Sequence, residues 1–158
     1  MPCWLLKTEP DTFSIDDLAS RPGATEPWDG VRNYQARNFI RDGMQLGDEV
    51  LIYHSSCPVP AVVGLARVAS QSRPDPGQFN PESLYYDPGS DPDNPRWMLV
   101  DIRYERHLQR PVPLVELKRH ADSLGDFALL KRSRLSVMPV SAAQRDLILA
   151  LAEGKGSP

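Results

Sequence analysis

The sequence predicts an α+β domain in which about five to six mostly antiparallel strands form a curled sheet or small barrel, with short helices around it. Two patterns lead to this fold class. Short apolar runs with β-branched residues alternate with turn residues, as strands do, and segments with helix-start signals lie between them. The 158 residues, 41% hydrophobic and 25% charged, have the size and composition of one ordinary globular domain.

The first half of the chain predicts three strands and two helices. Pro2–Lys7 is an apolar run that ends at turn-forming residues, and the run that ends at His54 is apolar and β-branched. Gly64 interrupts the next apolar run, which indicates a bulge or a close backbone approach. The predicted elements are strands over 2–7, 46–54 and 61–69, a helix over 14–20 with Ser14 and Asp17 as its capping pair, and a helix over 34–41 with Gly43 as its stop.

Residues 70–96 predict a long loop. They contain six prolines, which exclude both a helix and a central strand. A loop of this length inside a compact domain is usually functional or mobile. We expect an ordered flap that is pinned by Phe79, Leu84, Tyr85 and Tyr86.

The second half continues the alternation of strands and helices. Strands are predicted over 97–106 and 135–140, a helix begins at Pro113, a short helical segment covers 127–131, and a final helix follows the capping pair Ser141 and Gln144. A polar tail is expected over 153–158. Trp4 and Trp97 are expected inside strands, as core residues.

Charge and composition exclude several classes of protein. The formal net charge of −3 argues against affinity that depends mainly on positive charge, although residues 103–134 are net basic and could form a local phosphate-binding face or a solvated surface. The two cysteines and three histidines lack metal-ligand spacing, so we expect no metal and no cofactor. The sequence shows no membrane span and no signal peptide, so a cytoplasmic location, or a nuclear one in a eukaryote, is expected.

A set of sequence blocks, in a fixed order, carries a family resemblance. The blocks are residues 4–10, 28–38, 47–48 with 53–55, 85–88, 94–97 and 135–137. With them the chain resembles the EVE-domain family of the PUA-like superfamily, and within it the thymocyte nuclear protein group. The resemblance spans nearly the whole chain and implies a PUA-like mixed barrel over residues 1–152. It also implies kinship with YTH and SRA modules, which read a methylated base outside its stack, and with ASCH domains.

The resemblance implies a module that binds nucleic acid and takes one modified base into an aromatic pocket, and we expect this module to be a monomer and not an enzyme. Methylated or hydroxymethylated cytosine in DNA is favoured, and modified RNA stays open. Extruding a base costs a few kcal/mol, and stacking on aromatic side chains returns roughly 1–3 kcal/mol per base. Two or three aromatic partners are therefore enough.

The predicted site has base-binding and phosphate-binding residues and no catalytic ones. The base-binding residues are Trp28, Asn33, Tyr53, His54, Ser55, Ser14 and Val31, and the phosphate-binding residues are Lys7, Arg32, Arg132 and Arg134. Trp28 lies beside Asp29 and Gly30, in a loop, where it either contacts a base or covers the end of the barrel. Asn33 could bond a base edge or cap the following helix, and His54 and Ser55 could bond a base edge or satisfy a turn.

Two other functions remain open. Some ASCH relatives hydrolyse acylated nucleobases with a lysine, a threonine and a carboxylate, and Lys7, Thr8 and Glu9 suggest that set. On an extended strand, Thr8 is expected to point away from its two neighbours, which weakens this reading. His54 with Cys57 as base and nucleophile lacks an orienting carboxylate. The other function is protein interaction, in which the loop at 70–96 would dock a protein partner through an exposed apolar patch.

Overall fold

The structure, a computed structural model that describes residues 2–154, is built on a curled sheet. Its strands are β1 (Cys3–Thr8), β2 (Thr25–Pro27), β3 (Glu49–His54), β4 (Ala61–Val68), β5 (Arg73–Pro74), β6 (Met98–Leu99), β7 (Asp101–Pro113) and β8 (Val137–Val140). Within the described residues, six of them form one sheet in the order β2-β7-β4-β3-β1-β8, and β5 pairs with β6. β1 and β3 run parallel, and the other neighbouring pairs are antiparallel. This half-barrel confirms the predicted α+β class.

Short helices connect the strands. They are α1 (Ile15–Ser20), α2 (Tyr34–Asn38), α3 (Leu114–Arg119), α4 (Ala121–Leu124), α5 (Ala128–Lys131) and α6 (Ala142–Ala152), with 3-10 turns at Pro22–Ala24 and Pro76–Phe79 and a π-helical turn at Phe39–Gly43. Both predicted capping boxes are present, at Ser14 and at Ser141. The predicted helix over 34–41 is wrong in one respect, because it changes to π-helical geometry at Phe39. Residues 155–158 of the predicted polar tail lie outside the described residues.

Bulges curl the central strands. The pairing between β4 and β7 shifts register at Gly64, where an added Cβ would collide with the Ile15 side chain and lie 2.7 Å from the Arg106 carbonyl oxygen. The predicted bulge and the predicted close approach are thus both confirmed. The strand predicted over 97–106 is corrected, since it divides into β6 and a β7 that continues to Pro113. Across these bulges β7 pairs with β4 as far as Ala61.

The buried core lies between the curled sheet and the helices that cover it. Its largest fully buried side chains are Phe127, Leu5, Leu6, Leu18, Ile40, Leu51, Ile52, Leu65, Leu99, Ile102, Leu117 and Met138. Trp4 is buried in β1 as predicted, and its indole N–H donates to Asp48 at 3.0 Å. Trp97 is buried just before β6 rather than inside a strand, and it donates to Asp87 at 2.8 Å.

The segment at 70–96 is an ordered flap, but polar groups order it more than the predicted apolar ones. Asp75 and Gln78 are fully buried. The Gln78 amide donates to the carbonyl oxygens of Asp75 and Trp97 at 2.7 and 2.8 Å, and its own oxygen accepts from the Trp97 N–H at 3.0 Å. Leu84 is 96% exposed and pins nothing, which corrects its predicted role. The flap is ordered because these buried polar groups are all satisfied.

Candidate nucleic-acid interface

A cleft of about 550 Å³ lies where the end of β1, the loop before α1, the loop after β2 and the flap meet. Its walls are formed by Lys7, Thr8, Glu9, Thr12, Phe13, Arg21, Glu26, Pro27, Trp28, Asp29, Gly30, Val31, Arg32, Tyr85 and Ser136. Three of these side chains are aromatic. The cleft is within the size range of small-ligand sites.

Trp28 forms the aromatic centre of the cleft. Its backbone N–H donates to the Val100 carbonyl oxygen at 2.8 Å, which fixes the loop to the sheet, and its ring meets Phe13 edge to face at 5.9 Å. Within residues 2–154 no group accepts a hydrogen bond from the Trp28 indole N–H, and none of the fully buried side-chain nitrogens lacks a partner. That N–H is therefore not completely buried, and it is free to donate to a ligand.

Tyr85 closes the cleft from the flap side. Its ring lies directly on Gly30, where a Cβ would stand only 2.6–2.9 Å from three ring carbons. Gly30 also has a φ of +81°, which other residues rarely adopt. The glycine therefore allows both the turn after Trp28 and the close approach of the tyrosine.

An ion pair attaches the flap to the cleft wall. The Arg32 guanidinium contacts the Asp75 carboxylate at 3.0 Å, and the Asp75 side chain is 1% exposed. Arg32 also donates twice to the Tyr85 carbonyl oxygen, at 3.1 and 2.8 Å. The carboxylate accepts from the backbone N–H groups of Gly30 and Gly77 at 2.9 and 2.8 Å. Arg32 is thus a structural clamp whose charge is already paired.

The electrostatics of the cleft are mixed rather than strongly positive. Burial lowers the pKa of Lys7, whose ammonium donates to the Ser133 carbonyl oxygen at 3.0 Å. Burial in the cleft, and then the negative charge of Asp75, raise the pKa of Asp29. Arg21 pairs with Glu26 at 3.2 Å, so another cation of the wall is neutralised.

Four of the residues predicted for the site line this cleft: Trp28, Val31, Lys7 and Arg32. Three others hold helix starts instead. Ser14 accepts from the Asp17 N–H at 3.1 Å, Asn33 accepts from the Ala36 N–H at 2.9 Å, and the His54 ring accepts from the Ile15 N–H at 3.1 Å.

His54 is held in the neutral form needed for this bond. Burial lowers its pKa most strongly, with His107 acting in the same direction and Asp16 opposing. Among the described residues its ring bonds Ile15, and no hydrogen bond joins it to Cys57.

Tyr53 and Ser55 lie beside the cleft rather than in its wall. Tyr53 is buried opposite Lys7 in the pairing of β1 with β3, with the ammonium 6.0 Å from its ring centroid. Burial, and then Cys57, raise the pKa of Tyr53 to about 12. The Ser55 N–H donates to the Thr8 carbonyl oxygen at 2.9 Å and so continues that pairing.

A second, shallower depression adjoins the cleft at the segment after α5. It is lined by Asn33, Gln35, Lys131, Arg132, Ser133, Arg134 and Leu135. Arg132 donates to Gln35 at 2.7 Å, whereas within residues 2–154 no group pairs with exposed Arg134. Because Lys7 bonds Ser133, this basic segment borders the cleft.

Sequence reasoning missed several wall residues. Phe13 directly precedes the predicted helix cap Ser14, and Asp29 lies beside Trp28 in the recognised block 28–38, so their positions next to these residues were the available signals. Tyr85 was expected only to pin the flap. Thr8 lines the same cleft as Lys7 and Glu9. The Thr8 hydroxyl donates to the Phe13 carbonyl oxygen at 2.6 Å, across the turn that follows β1.

Comparison with known proteins identifies the family. The EVE domain model matches residues 2–151. The chain belongs to the EVE domain family. Human thymocyte nuclear protein 1 is 41% identical over 98% of this chain and 75% of its own length. An uncharacterized protein from fission yeast, Schizosaccharomyces pombe, is 40% identical over 95% of this chain and 68% of its own length.

Solved structures agree with this fold. The crystal structure of human THYN1 protein in complex with 5-methylcytosine-containing DNA has a TM-score of 0.94 and 40% identity, over 97% of this chain and 98% of that one. A protein from Pseudomonas putida has a TM-score of 0.88 and 47% identity, over 95% and 99%. An ASCH protein from Zymomonas mobilis has a TM-score of 0.56 at 14% identity, over 94% and 97%, a likeness of fold alone.

No helix among residues 2–154 has the length and apolarity to cross a bilayer. In the same range no three His, Cys, Asp or Glu side chains are grouped so that they could hold a metal ion.

Proposed function

We propose that this EVE domain binds DNA that contains a modified cytosine, and that the modified base enters the cleft at Trp28. The observation that carries the proposal is the aromatic wall of Phe13, Trp28 and Tyr85, in which the Trp28 indole N–H has no partner within residues 2–154. It is supported by the relationship to human THYN1 protein, whose structure contains 5-methylcytosine DNA.

The cleft offers what an extruded cytosine requires. Stacking on the aromatic wall contributes roughly 1–3 kcal/mol per base, which is comparable to the few kcal/mol needed to extrude it. The Asp29 carboxylate is an acceptor for the N4 amino group of cytosine, and the Trp28 N–H is a donor for a ring or carbonyl acceptor. A methyl group at C5 gains further apolar contact in this setting.

Phosphates next to the base lie at the basic segment after α5. Arg134 is exposed and unpaired within the described residues, and Arg132 and Lys131 are beside it. Lys7 links this segment to the cleft through Ser133. Phosphate contacts position a protein on DNA without reading sequence, and they make binding sensitive to salt.

The test is fluorescence-anisotropy binding to matched oligonucleotides with cytosine, 5-methylcytosine or 5-hydroxymethylcytosine, single- and double-stranded, at two salt concentrations. We expect modified DNA to bind more tightly than unmodified DNA. Trp28→Ala should lower the affinity for modified DNA by about 5- to 150-fold, the equivalent of one stacked base. Trp28→Phe keeps a stacking ring but loses the N–H donor, so its affinity for modified DNA should fall between those of wild type and Trp28→Ala.

Thermal unfolding of both Trp28 variants is the folding control, because the side chain is 9% exposed and packs on Phe13. If a folded Trp28→Ala protein keeps the full preference, the base does not enter this cleft. If wild type binds all the oligonucleotides weakly and alike but binds modified RNA, the ligand class is RNA.

A nucleobase hydrolase is the second candidate, because Lys7, Thr8 and Glu9 all line the cleft. The Thr8 hydroxyl is engaged with Phe13 and the Lys7 ammonium with Ser133, so both would have to leave these partners to act on a substrate. We infer that the chain is not an enzyme. Release of free acid from N4-acetylcytidine by wild type, and its loss in Lys7→Ala, would overturn this inference.

A further inference from the structure

Leu84 is the most exposed large hydrophobic side chain of the described residues, at 96%. It occupies the second position of a turn in which the Tyr86 N–H donates to the Ser83 carbonyl oxygen at 3.2 Å. Turns normally place glycine, proline or short polar residues at such positions. A leucine presented in this way has no packing role in the folded chain.

The two residues that flank Leu84 in the chain, Ser83 and Tyr85, fix its position. The Ser83 hydroxyl accepts from the Tyr85 N–H at 3.0 Å. The Tyr85 ring packs on Gly30, and the Tyr85 backbone carbonyl oxygen accepts two hydrogen bonds from Arg32. Leu84 therefore stands on an anchored turn, directly beside the aromatic residue that closes the cleft.

A base that leaves a duplex leaves a gap in the stack, and proteins that unstack DNA often insert an apolar side chain between base steps. We propose that the Leu84 side chain enters the DNA duplex at the step from which the base has been taken. This inference rests on the proposed function, because it needs a base in the adjoining cleft. Because its turn is anchored, the Leu84 side chain can act as a wedge between base pairs, and the turn loses little conformational entropy on binding.

The proposal concerns duplex DNA and not single strands. A single strand has no continuous stack to open, and only the cleft would engage its modified base. Removing the Leu84 side chain should therefore weaken binding to duplex DNA and leave binding to single strands unchanged. Removing the Trp28 side chain should weaken binding to both.

The experiment compares wild type, Leu84→Ala and Leu84→Met on duplex and single-stranded oligonucleotides with one 5-methylcytosine. In the duplex, 2-aminopurine beside that cytosine reports unstacking. Leu84→Ala should weaken duplex binding by roughly 10- to 50-fold, from the lost burial of up to three carbons, and should reduce the 2-aminopurine signal. Leu84→Met should restore both, because its side chain is long and apolar. Single-strand binding should change by less than about twofold.

Leu46→Ala is the matched control, since Leu46 is 64% exposed in the turn before β3. β3 runs parallel to β1, and the cleft adjoins the far end of β1, so Leu46 lies at the opposite end of these strands. Equal duplex affinity for wild type and Leu84→Ala would overturn the wedge and leave the cleft proposal standing. An equal loss on duplex and single strand would overturn it too. Failure of wild type to prefer modified DNA in any form would instead remove the proposed function.

Discussion

The flap should depend on one buried carboxylate, and Asp75→Asn tests this directly. The Asp75 side chain is 1% exposed and accepts from Gly30, Gly77 and Arg32. An amide of the same shape loses the charge and turns an NH₂ group towards one of three donors. Breaking a buried ion pair from one side destabilises by about 3–5 kcal/mol.

The magnitude here should be somewhat smaller. Arg32 is 21% exposed on its side chain and keeps bonds to the carbonyl oxygens of Tyr85 and Val31. We therefore expect the free energy of unfolding to fall by about 2–4 kcal/mol. For a domain of this length, that corresponds to a melting temperature lower by about 5–15 °C.

Urea unfolding and amide hydrogen exchange measure the effect globally and at the flap. Gly30 and Gly77 amides should exchange faster in Asp75→Asn, because both lose a charged acceptor. Asp93→Asn is the matched control, an exposed flap aspartate whose carboxylate has no partner within residues 2–154, and it should change stability by less than about 0.5 kcal/mol. If neither unfolding nor exchange distinguishes Asp75→Asn from this control, the ion pair does not hold the flap.

Two further changes test the packing on Gly30 and the state of His54. Gly30→Ala should destabilise by about 2–4 kcal/mol in urea unfolding, because its Cβ meets the Tyr85 ring, whereas Gly47→Ala, at a φ of +91° with open space around it, should show only a backbone penalty of about 1–2 kcal/mol. Equal losses of unfolding free energy in Gly30→Ala and Gly47→Ala would show that the Tyr85 ring is not held rigidly against Gly30. His54 has a lowered pKa and accepts from Ile15, so the unfolded chain binds its proton more tightly and the free energy of unfolding should fall as pH drops below about 6.5. His54→Gln should lose that part of the pH dependence, and an unchanged slope in urea titrations across this range would contradict the assignment.

Much of the fold follows from local rules that act over a few residues. The two capping boxes at Ser14 and Ser141 were predictable because cap and partner are three positions apart. The strands followed from apolar, β-branched runs, and Gly64 marked the bulge. The end of β7 was not predictable, because it depends on pairing with β4 across that bulge and not on residues near Pro113.

The cleft was less accessible to the same reasoning. Asn33 and His54 have the donors and acceptors that a base edge needs, but each satisfies the first N–H groups of a nearby helix. Both uses require the same chemistry, so the residue type does not distinguish them. Tyr85 forms part of the cleft wall because its ring packs on Gly30. The sequence around either residue does not indicate this contact.

The cleft and the clamp of the flap share one segment, which constrains how the site can work. Trp28 and Asp29 line the cleft, while Gly30 and Arg32, a few positions on, carry Tyr85 and bind Asp75. A ligand that pushed the Tyr85 backbone outward would have to break the two Arg32 bonds to its carbonyl oxygen. The aromatic wall is therefore preorganised, and binding free energy need not be used to order the flap. Substitutions that loosen this clamp should weaken binding even where they touch no ligand, and they should also speed exchange of the Gly30 amide, which donates to Asp75.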